Sequence, residues 1–305
     1  MSETEIFSWV GDASAIEPGL PMVATLTGFN DSGSCVTQFS DHLFSHLDNE
    51  LLLTFSNDRL LDYRSRRPRM FFEKDHITSY EPPTLAVYLF TDEAGKQFIL
   101  LDGYEPDFSW NAFSEAVVDI TRTLQASSLT WMHAIPFPIP HTRDIGVTVS
   151  GNRHDLIDEY SEWKPQTEVP GNVLHLLEYK MSGYGVPVAG FVLLVPHYLG
   201  DSEMPQVALK AVELVSRATG LVLPSDSLRE AGKQFLTKLE KQVQENEELQ
   251  KLIGNLEAGY KNSELGPMRA PISKKSPEMP SADQIAEELE GYLMQMRRGE
   301  NENDE

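Results

Sequence analysis

The sequence holds one cysteine, few basic residues and no long apolar segment, and each shortage excludes a class of protein. Cys35 alone cannot form an internal disulfide bond or a thiolate metal site. Acidic side chains number 47 against 25 basic ones, so the net charge of −22 repels the phosphate backbone of nucleic acids. No apolar run approaches the roughly 20 residues of a transmembrane helix, and residues 1–5 lack the basic start of a secretory signal. We therefore expect a soluble, cytoplasmic protein that binds neither nucleic acid nor membrane.

Motifs of phosphate and nucleophile chemistry are missing as well. The glycine-containing turn near the N-terminus has neither a G-x-G-x-x-G pattern nor a Walker lysine, and no G-x-S-x-G elbow occurs anywhere. His42 and His46 have the spacing of two metal ligands on one helix, but no glutamate lies between them as in H-E-x-x-H. Capping or surface roles suit these histidines better. The sequence therefore predicts no cofactor, no metal and no catalytic residue, and it favours a protein without enzymatic activity.

The apolar run at residues 22–27 breaks into a turn and then resumes with helical spacing. Gly28 and Gly33 permit backbone angles that other residues avoid, and apolar residues from Val36 to Leu47 recur every three or four positions. Residues 20–47 are thus predicted to form a strand, a tight turn and a helix. In a parallel sheet such a turn lies at the carboxyl end of its strand, where ligands usually bind.

Two interpretations of this turn stay open. It can bind an anion through the free N–H groups of the helix start, or Asp31 or Ser32 can accept those hydrogen bonds internally. The apolar strand predicted at residues 188–195 ends at the same kind of sheet edge. The ligand-binding candidates are therefore Gly28, Asn30, Asp31, Ser32, Gly33, His197 and Tyr198.

Further strands and helices alternate along the chain. The turn at residues 92–95 predicts an antiparallel hairpin within a pattern that is otherwise typical of α/β proteins. The fold class is therefore α/β, with a mixed, largely parallel sheet flanked by helices on both faces and a helical appendage at the C-terminus. The predicted strands are 51–55, 84–90, 97–101, 129–135, 145–150 and 188–195, and the predicted helices are 109–124, 171–180 and 205–219.

The last third of the chain is more polar and divides into segments. Prolines and small polar residues predict a flexible linker, and apolar residues at helical spacing predict an amphipathic helix after it. The predicted division is a core domain at 1–224, a helical hairpin at 225–261, a linker at 262–282, a helix at 283–298 and an acidic tail at 299–305.

A basic cluster at residues 64–69 stands out in this acidic chain. Arginine forks can hold a carboxylate or a phosphate, and they can equally form ion pairs within or between chains. His141 and Arg143 follow a proline in a predicted loop, where they could orient an anionic ligand or simply hold the loop. As candidates for contacts with a partner or a second copy we take Arg64, Arg66, Arg67, His141 and Arg143.

Six short blocks occur in order along the chain: Thr27–Gly33, Leu61–Pro68, Pro140–Arg143, Gly151–Arg153, Pro196–Leu199 and Ser216–Leu221. These blocks resemble the PAC2 family, which is related to the proteasome assembly chaperones, and in particular its actinobacterial type. Together they span most of residues 8–260. The resemblance implies a sheet similar to that of nucleoside-phosphorylase-like folds and assembly into a homo-oligomer such as a trimer.

Two functions follow as hypotheses. The first is a non-enzymatic assembly chaperone or oligomeric scaffold that binds itself and other proteins. Some archaeal relatives dock on proteasome rings through a terminal hydrophobic-Tyr-X motif, and because this chain ends in Asn301–Glu305, docking by that route is not expected. The alternative is an enzyme or binding protein for a small anionic metabolite, with its cleft at the turn from Gly28 to Ser34.

Overall fold

A computed structural model describes residues 6–161, 164 and 166–262. Apart from Asn262, the predicted linker, the last helix and the acidic tail lie outside these residues. The described strands are Phe7–Trp9 (β1), Pro21–Thr27 (β2), Asn49–Phe55 (β3), Arg69–Glu73 (β4), His76–Glu81 (β5), Leu85–Thr91 (β6), Gln97–Tyr104 (β7), Ser128–Phe137 (β8), Gly146–Gly151 (β9) and Val188–Pro196 (β10). The helices are Cys35–His46 (α1), Asn57–Leu60 (α2), Trp110–Thr123 (α3), His154–Tyr160 (α4), Val173–Gly183 (α5), Pro205–Thr219 (α6), Asp226–Glu245 (α7) and Glu247–Asn262 (α8).

The predicted strand, turn and helix at the start of the chain are confirmed. β2 is buried over almost its whole length, as expected of a strand covered on both faces. Gly28 has a φ of 130° and Gly33 a φ of 70°, so both glycines occupy backbone regions that side chains disfavour. A short 3₁₀ turn at Ser32–Ser34 then leads into α1.

Eight strands form one mixed sheet in the order β1-β3-β6-β7-β2-β8-β10-β9. The four central strands, β7, β2, β8 and β10, run parallel to one another, whereas the pairs on both sides of them are antiparallel. In register, Val23 of β2 lies opposite Leu100 of β7 and Thr130 of β8. The mixed α/β fold is thus confirmed, and the carboxyl ends of its parallel strands lie at one edge.

Helices cover both faces of this sheet because side chains of each strand point alternately to either side. Val23 packs toward α1 and α6, together with Phe39 and Val207. Its neighbour Met22 packs toward α3 and α5, where Phe113 is fully buried. Two apolar layers of comparable extent therefore hold the sheet between them. No described helix is long and apolar enough to cross a membrane.

In the segment predicted as a helical hairpin, residues 225–261, the structure has two helices, α7 and α8. α7 lies against the α6 side of the sheet through buried Leu228 and Leu239. Asn246, with φ −128° and ψ 105°, interrupts the helix before α8 begins. From α8, Ile253 is buried as well.

A two-stranded ribbon formed by β4 and β5 is the main element that sequence patterns do not indicate. It pairs with no strand of the large sheet and forms a sheet of its own. All eleven of its strand residues are exposed. We call residues 69–81 the arm.

Candidate functional site

The predicted site lies at the edge of the sheet formed by the carboxyl ends of the parallel strands, in the turn that connects β2 to α1. There the Asp31 carboxylate faces the start of the helix. Its Oδ1 accepts a hydrogen bond of 2.7 Å from the N–H of Val36, and its Oδ2 accepts from the N–H and the hydroxyl of Thr37 at 3.2 and 2.9 Å. An aspartate of the chain therefore occupies the position that an anion would take.

Other backbone groups of the turn are also hydrogen-bonded within the chain. The Gly33 N–H donates to the carbonyl of Gly200 at 2.7 Å, and the Met204 N–H donates to the carbonyl of Gly33 at 3.0 Å. A side chain at position 33 would meet Val207 at 3.1 Å, so the turn is packed against the start of α6. Of the two interpretations of the turn, the internally capped helix start is the one that this geometry supports.

Exposed parts of the turn border Arg66. Gly28 and Asn30 lie at the surface, and a Cβ atom at Gly28 would lie 2.7 Å from Nη2 of Arg66. Arg66 donates to the Glu105 carbonyl at 2.6 Å and forms an ion pair of 3.3 Å with Asp107. Its guanidinium also lies 5.3 Å from the ring centre of Tyr104. Arg66 thus packs against the turn and is held there by contacts within the same chain.

Arg64 and Arg67 differ from Arg66 in this respect. Both are exposed at the base of the arm. Among the described residues, no acidic side chain lies within ion-pair distance of either guanidinium. The basic cluster is therefore divided into one structural arginine and two that face solvent.

Glu105 caps the N-terminus of a second helix, α5, at the same edge of the sheet. Its Oε1 accepts a hydrogen bond of 2.7 Å from the N–H of Val173, in the first turn of α5. Burial raises the pKa of Glu105, although that hydrogen bond and Arg66 act in the opposite direction. The N-termini of both α1 and α5 are thus met by carboxylates of the same chain.

Four aromatic rings fill the space between this edge and α5. His133 of β8 stacks on Trp131 with ring centres 5.3 Å apart, and Phe29 and His175 meet it edge-on at 5.3 and 5.6 Å. Burial, and secondarily His175, lowers the pKa of His133 to about 3, so its imidazole is neutral at physiological pH. Sequence reasoning missed His133 and Glu105, since neither a single histidine within a buried strand nor a single glutamate directly after a strand gives a motif.

Tyr198, a predicted ligand-binding residue, and His141, a predicted contact residue, are hydrogen-bonded to each other at the end of β10. The His141 N–H donates to the tyrosine oxygen at 2.8 Å, and His141 Nδ1 lies 2.7 Å from the same oxygen. Burial lowers the pKa of His141 and raises that of Tyr198, which fits a hydroxyl that donates to a neutral imidazole. Tyr198 therefore fixes the loop before β9, while His197 stays exposed.

Arg143 in the same loop contacts α8. It forms an ion pair of 2.6 Å with Glu257, and its guanidinium lies 5.0 Å from the ring centre of Tyr260. Thr142 donates to Glu257 as well. In the isolated chain Arg143 thus attaches α8 to the core, while the Gly151–Arg153 block lies at the opposite end of β9.

His42 and His46 are both tied to backbone carbonyls. Because a carbonyl only accepts, Nε2–H of His42 donates to Pro224 and Nδ1–H of His46 donates to His42, each at 2.8 Å. Within the described ranges, no group of three or more His, Cys, Asp or Glu side chains is arranged to hold a metal ion. The Ser227 hydroxyl of α7 lies 3.5 Å from Nδ1 of His42 and 3.4 Å from Nε2 of His46, so the pair joins α1 to the start of α7.

The arm has one predominantly apolar face. The register pairs Met70 with Tyr80 and Phe72 with Ile77, and cross-strand partners point to the same side of a ribbon. These four side chains are between 51 and 62% exposed. With Phe71, which is 61% exposed on the opposite face, the arm presents five large apolar side chains to solvent.

Comparisons with known proteins identify the family of α/β proteins to which this chain belongs. The PAC2 family profile matches residues 25–243, and the chain belongs to the PAC2 family. A Corynebacterium glutamicum protein of unknown function is 32% identical, with a TM-score of 0.80, and the match covers 84% of this chain and 97% of that one. The Mycobacterium tuberculosis protein of unknown function Rv2714 is 35% identical, with a TM-score of 0.80 and coverage of 86% and 90%.

More distant structures share the fold alone. The Mycobacterium tuberculosis proteasome-assembly chaperone homologue Rv2125 has a TM-score of 0.70 at 18% identity, with coverage of 77% of this chain and 100% of that one. No curated protein matches the sequence.

Proposed function

We propose that this PAC2-family protein is a non-enzymatic scaffold or assembly chaperone that acts in the cytoplasm and binds other proteins and itself. Among proteins with the same fold are a proteasome-assembly chaperone homologue and an archaeal proteasome activator. Both proteins are named for a role with proteasomes, and a role in protein assembly is the general function that we propose here. The partner of this chain need not be a proteasome.

The single observation that carries the proposal is the exposed arm. An isolated two-stranded hairpin is at best marginally stable in water, and contiguous exposed apolar side chains mark interaction surfaces. Full burial of one large apolar side chain contributes about 1.5–3 kcal/mol. Covering Met70, Phe72, Ile77 and Tyr80 with a partner would therefore supply a substantial part of a protein interface.

Binding of a small anionic metabolite at the Gly28–Ser34 turn is the second candidate. It ranks lower because Asp31 occupies the helix start and Glu105 occupies the next one. In the described part of the chain, neither the Ser32 nor the Ser34 hydroxyl is hydrogen-bonded to a histidine or a carboxylate. An activated nucleophile is therefore not supported.

Affinity isolation from native cells tests the proposal. The tagged full chain is compared with a Phe72→Ser, Ile77→Ser variant, whose changes are at exposed positions and should leave the fold intact. We expect proteins that accompany the wild-type chain in reproducible amounts and are depleted at least tenfold from the variant.

A matched control removes exposed apolar surface elsewhere. Tyr179 and Val222 are 80 and 50% exposed, so a Tyr179→Ser, Val222→Ser variant reduces surface hydrophobicity without touching the arm. We expect this control to retain the bound proteins. Equal recovery with all three chains, or no protein bound to any, would refute binding through the arm.

A further inference from the structure

We propose that the face of the sheet next to α5 contains a binding site for a small uncharged molecule with a planar amide group. The site consists of His133, His175, Phe29 and Asn172. It goes beyond the function proposed above, since it does not involve the arm and needs no partner protein. Two buried polar groups without a hydrogen-bond partner among the described residues point to it.

His133 is the first of these groups. Only 4% of the residue is exposed, and within the described residues its Nδ1 atom has no hydrogen-bond partner. Trp131 is stacked on the ring with 18° between the ring planes, and Phe29 and His175 contact it edge-on. Buried polar groups are normally paired, because burial removes the water that would otherwise bind them. Since the imidazole is neutral at physiological pH, it offers one N–H donor and one acceptor nitrogen.

Asn172 supplies the second group. Its Oδ1 accepts a hydrogen bond of 2.8 Å from the N–H of His175 and so caps α5, whereas its buried Nδ2 has no partner in the described part of the chain. The backbone N–H of Asn172 donates to Nδ1 of His175 at 3.4 Å. Because a ring nitrogen that accepts carries no proton, the proton of His175 lies on Nε2. Both side chains therefore present N–H groups at the start of one helix.

The neighbouring groups select an uncharged ligand. Amide and imidazole N–H groups require an acceptor, which an ammonium or amidinium group does not have. An anion has acceptors, but the Glu105 carboxylate already lies at this helix start, 2.7 Å from the N–H of Val173. Like charges side by side and a buried unpaired charge are both unfavourable. An amide carbonyl accepts from these donors without either cost, and an amide N–H can donate to the acceptor nitrogen of His133.

The aromatic rings favour a flat ligand. Phe29 and His175 are half-buried, with ring centres 6.3 Å apart, and are the members of the ring cluster nearest to solvent. In the proposed complex the Phe29 ring rotates away from His133 and the ligand takes its place. A ligand there contacts aromatic surface, which suits a planar group of similar size. Benzamide combines such a ring with an amide and is therefore the probe.

Titration calorimetry on the purified full chain tests the site with three probes of the same shape and different charge. We expect benzamide to bind at one site per chain, and the benzoate anion and the benzamidine cation to bind at least tenfold more weakly. In nitrogen magnetic resonance spectra of the chain labelled with ¹⁵N-histidine, benzamide should shift the ring nitrogens of His133. These measurements use the wild type and do not depend on the folding of a variant.

Two variants remove the unpaired groups one at a time. His133→Phe keeps a ring of similar size, and Asn172→Ser keeps a capping oxygen for α5 while it removes the Nδ2 donors. Each should raise the dissociation constant for benzamide at least tenfold. His154→Phe is the matched control, since it replaces an exposed histidine at the start of α4, and it should bind benzamide like the wild type.

Four results would overturn the inference. They are no binding of benzamide to the wild type, equal affinity for benzoate or benzamidine, equal affinity in both variants, and unchanged His133 resonances when benzamide is bound. A crystal soaked with benzamide in which only an ordered water contacts Nδ1 of His133 would refute it as well. None of these results bears on binding of proteins through the arm, so failure of this site and failure of the proposed function are distinguishable.

Discussion

Replacing Asp31 with alanine separates the two interpretations of the first turn. In the structure the carboxylate accepts three hydrogen bonds, of 2.7, 3.2 and 2.9 Å, from Val36 and Thr37. Loss of a helix N-cap costs about 0.5–2 kcal/mol, and hydrogen bonds to charged groups lie at the upper end of the range. We therefore expect Asp31→Ala to lower the free energy of unfolding by about 2 kcal/mol.

The assay is unfolding by heat and by urea, followed by circular dichroism. For a folded region of this size, 1 kcal/mol corresponds to roughly 2–4 °C, so Tm should fall by about 4–8 °C. Asp41→Ala is the matched control, since it removes the same charge from an exposed position of the same helix. Its effect should stay within about 0.5 kcal/mol.

Inorganic phosphate provides a second readout. Without the carboxylate, the N–H groups of Val36 and Thr37 become free at a helix start, which is a favourable place for an anion. Phosphate should therefore restore part of the stability of Asp31→Ala and leave the wild type unchanged. An equal loss in both variants, or stabilisation of the wild type by phosphate, would refute the capping role.

Three further substitutions test other parts of the structure. The lowered pKa of His133, about 3, keeps the imidazole neutral in the folded state, so stability is lost as pH falls below the unfolded pKa near 6.5. Between pH 7 and 5 the wild type should lose about 2 kcal/mol more unfolding free energy than His133→Phe in urea titrations. An equal dependence of the unfolding free energy on pH in both proteins would contradict this. Gly28→Ala should cost about 1–3 kcal/mol because φ is 130°, whereas Gly254→Ala, with no atom within 4 Å of the added carbon, should not destabilise. Arg143→Met should accelerate hydrogen exchange in α8 because it removes the 2.6 Å ion pair with Glu257; Arg153→Met, which breaks a pair with neighbouring Asp155, should leave α8 unchanged.

Local sequence patterns were sufficient to predict the elements whose burial leaves either a continuous apolar run or a helical apolar repeat. The strand, turn and helix at residues 20–47 and the apolar strand β10 could be predicted because burial on both faces leaves continuous apolar runs. Helical spacing likewise identified α3 and α6. The arm could not be found in this way, since its strands are uncovered on both sides and mix arginine with phenylalanine. Strand propensity alone does not distinguish such a ribbon from a loop.

The roles of individual site residues required the tertiary structure. Arg66 and Arg64 are two positions apart in the sequence, yet one is bonded to Glu105 and Asp107 while the other faces solvent. Glu105 is 68 residues from the helix start that it caps. Composition identified the basic cluster, but only the fold assigns each arginine its partner.

Amide hydrogen exchange in the arm tests the central claim most directly. It is measured over residues 69–81 on the tagged chain isolated under native conditions with its bound proteins, and again on the Phe72→Ser, Ile77→Ser variant. An arm buried in an interface should exchange at least a hundredfold more slowly in the wild type than in the variant. Equally fast exchange in both would show that the arm is uncovered in the native assembly and would contradict the account.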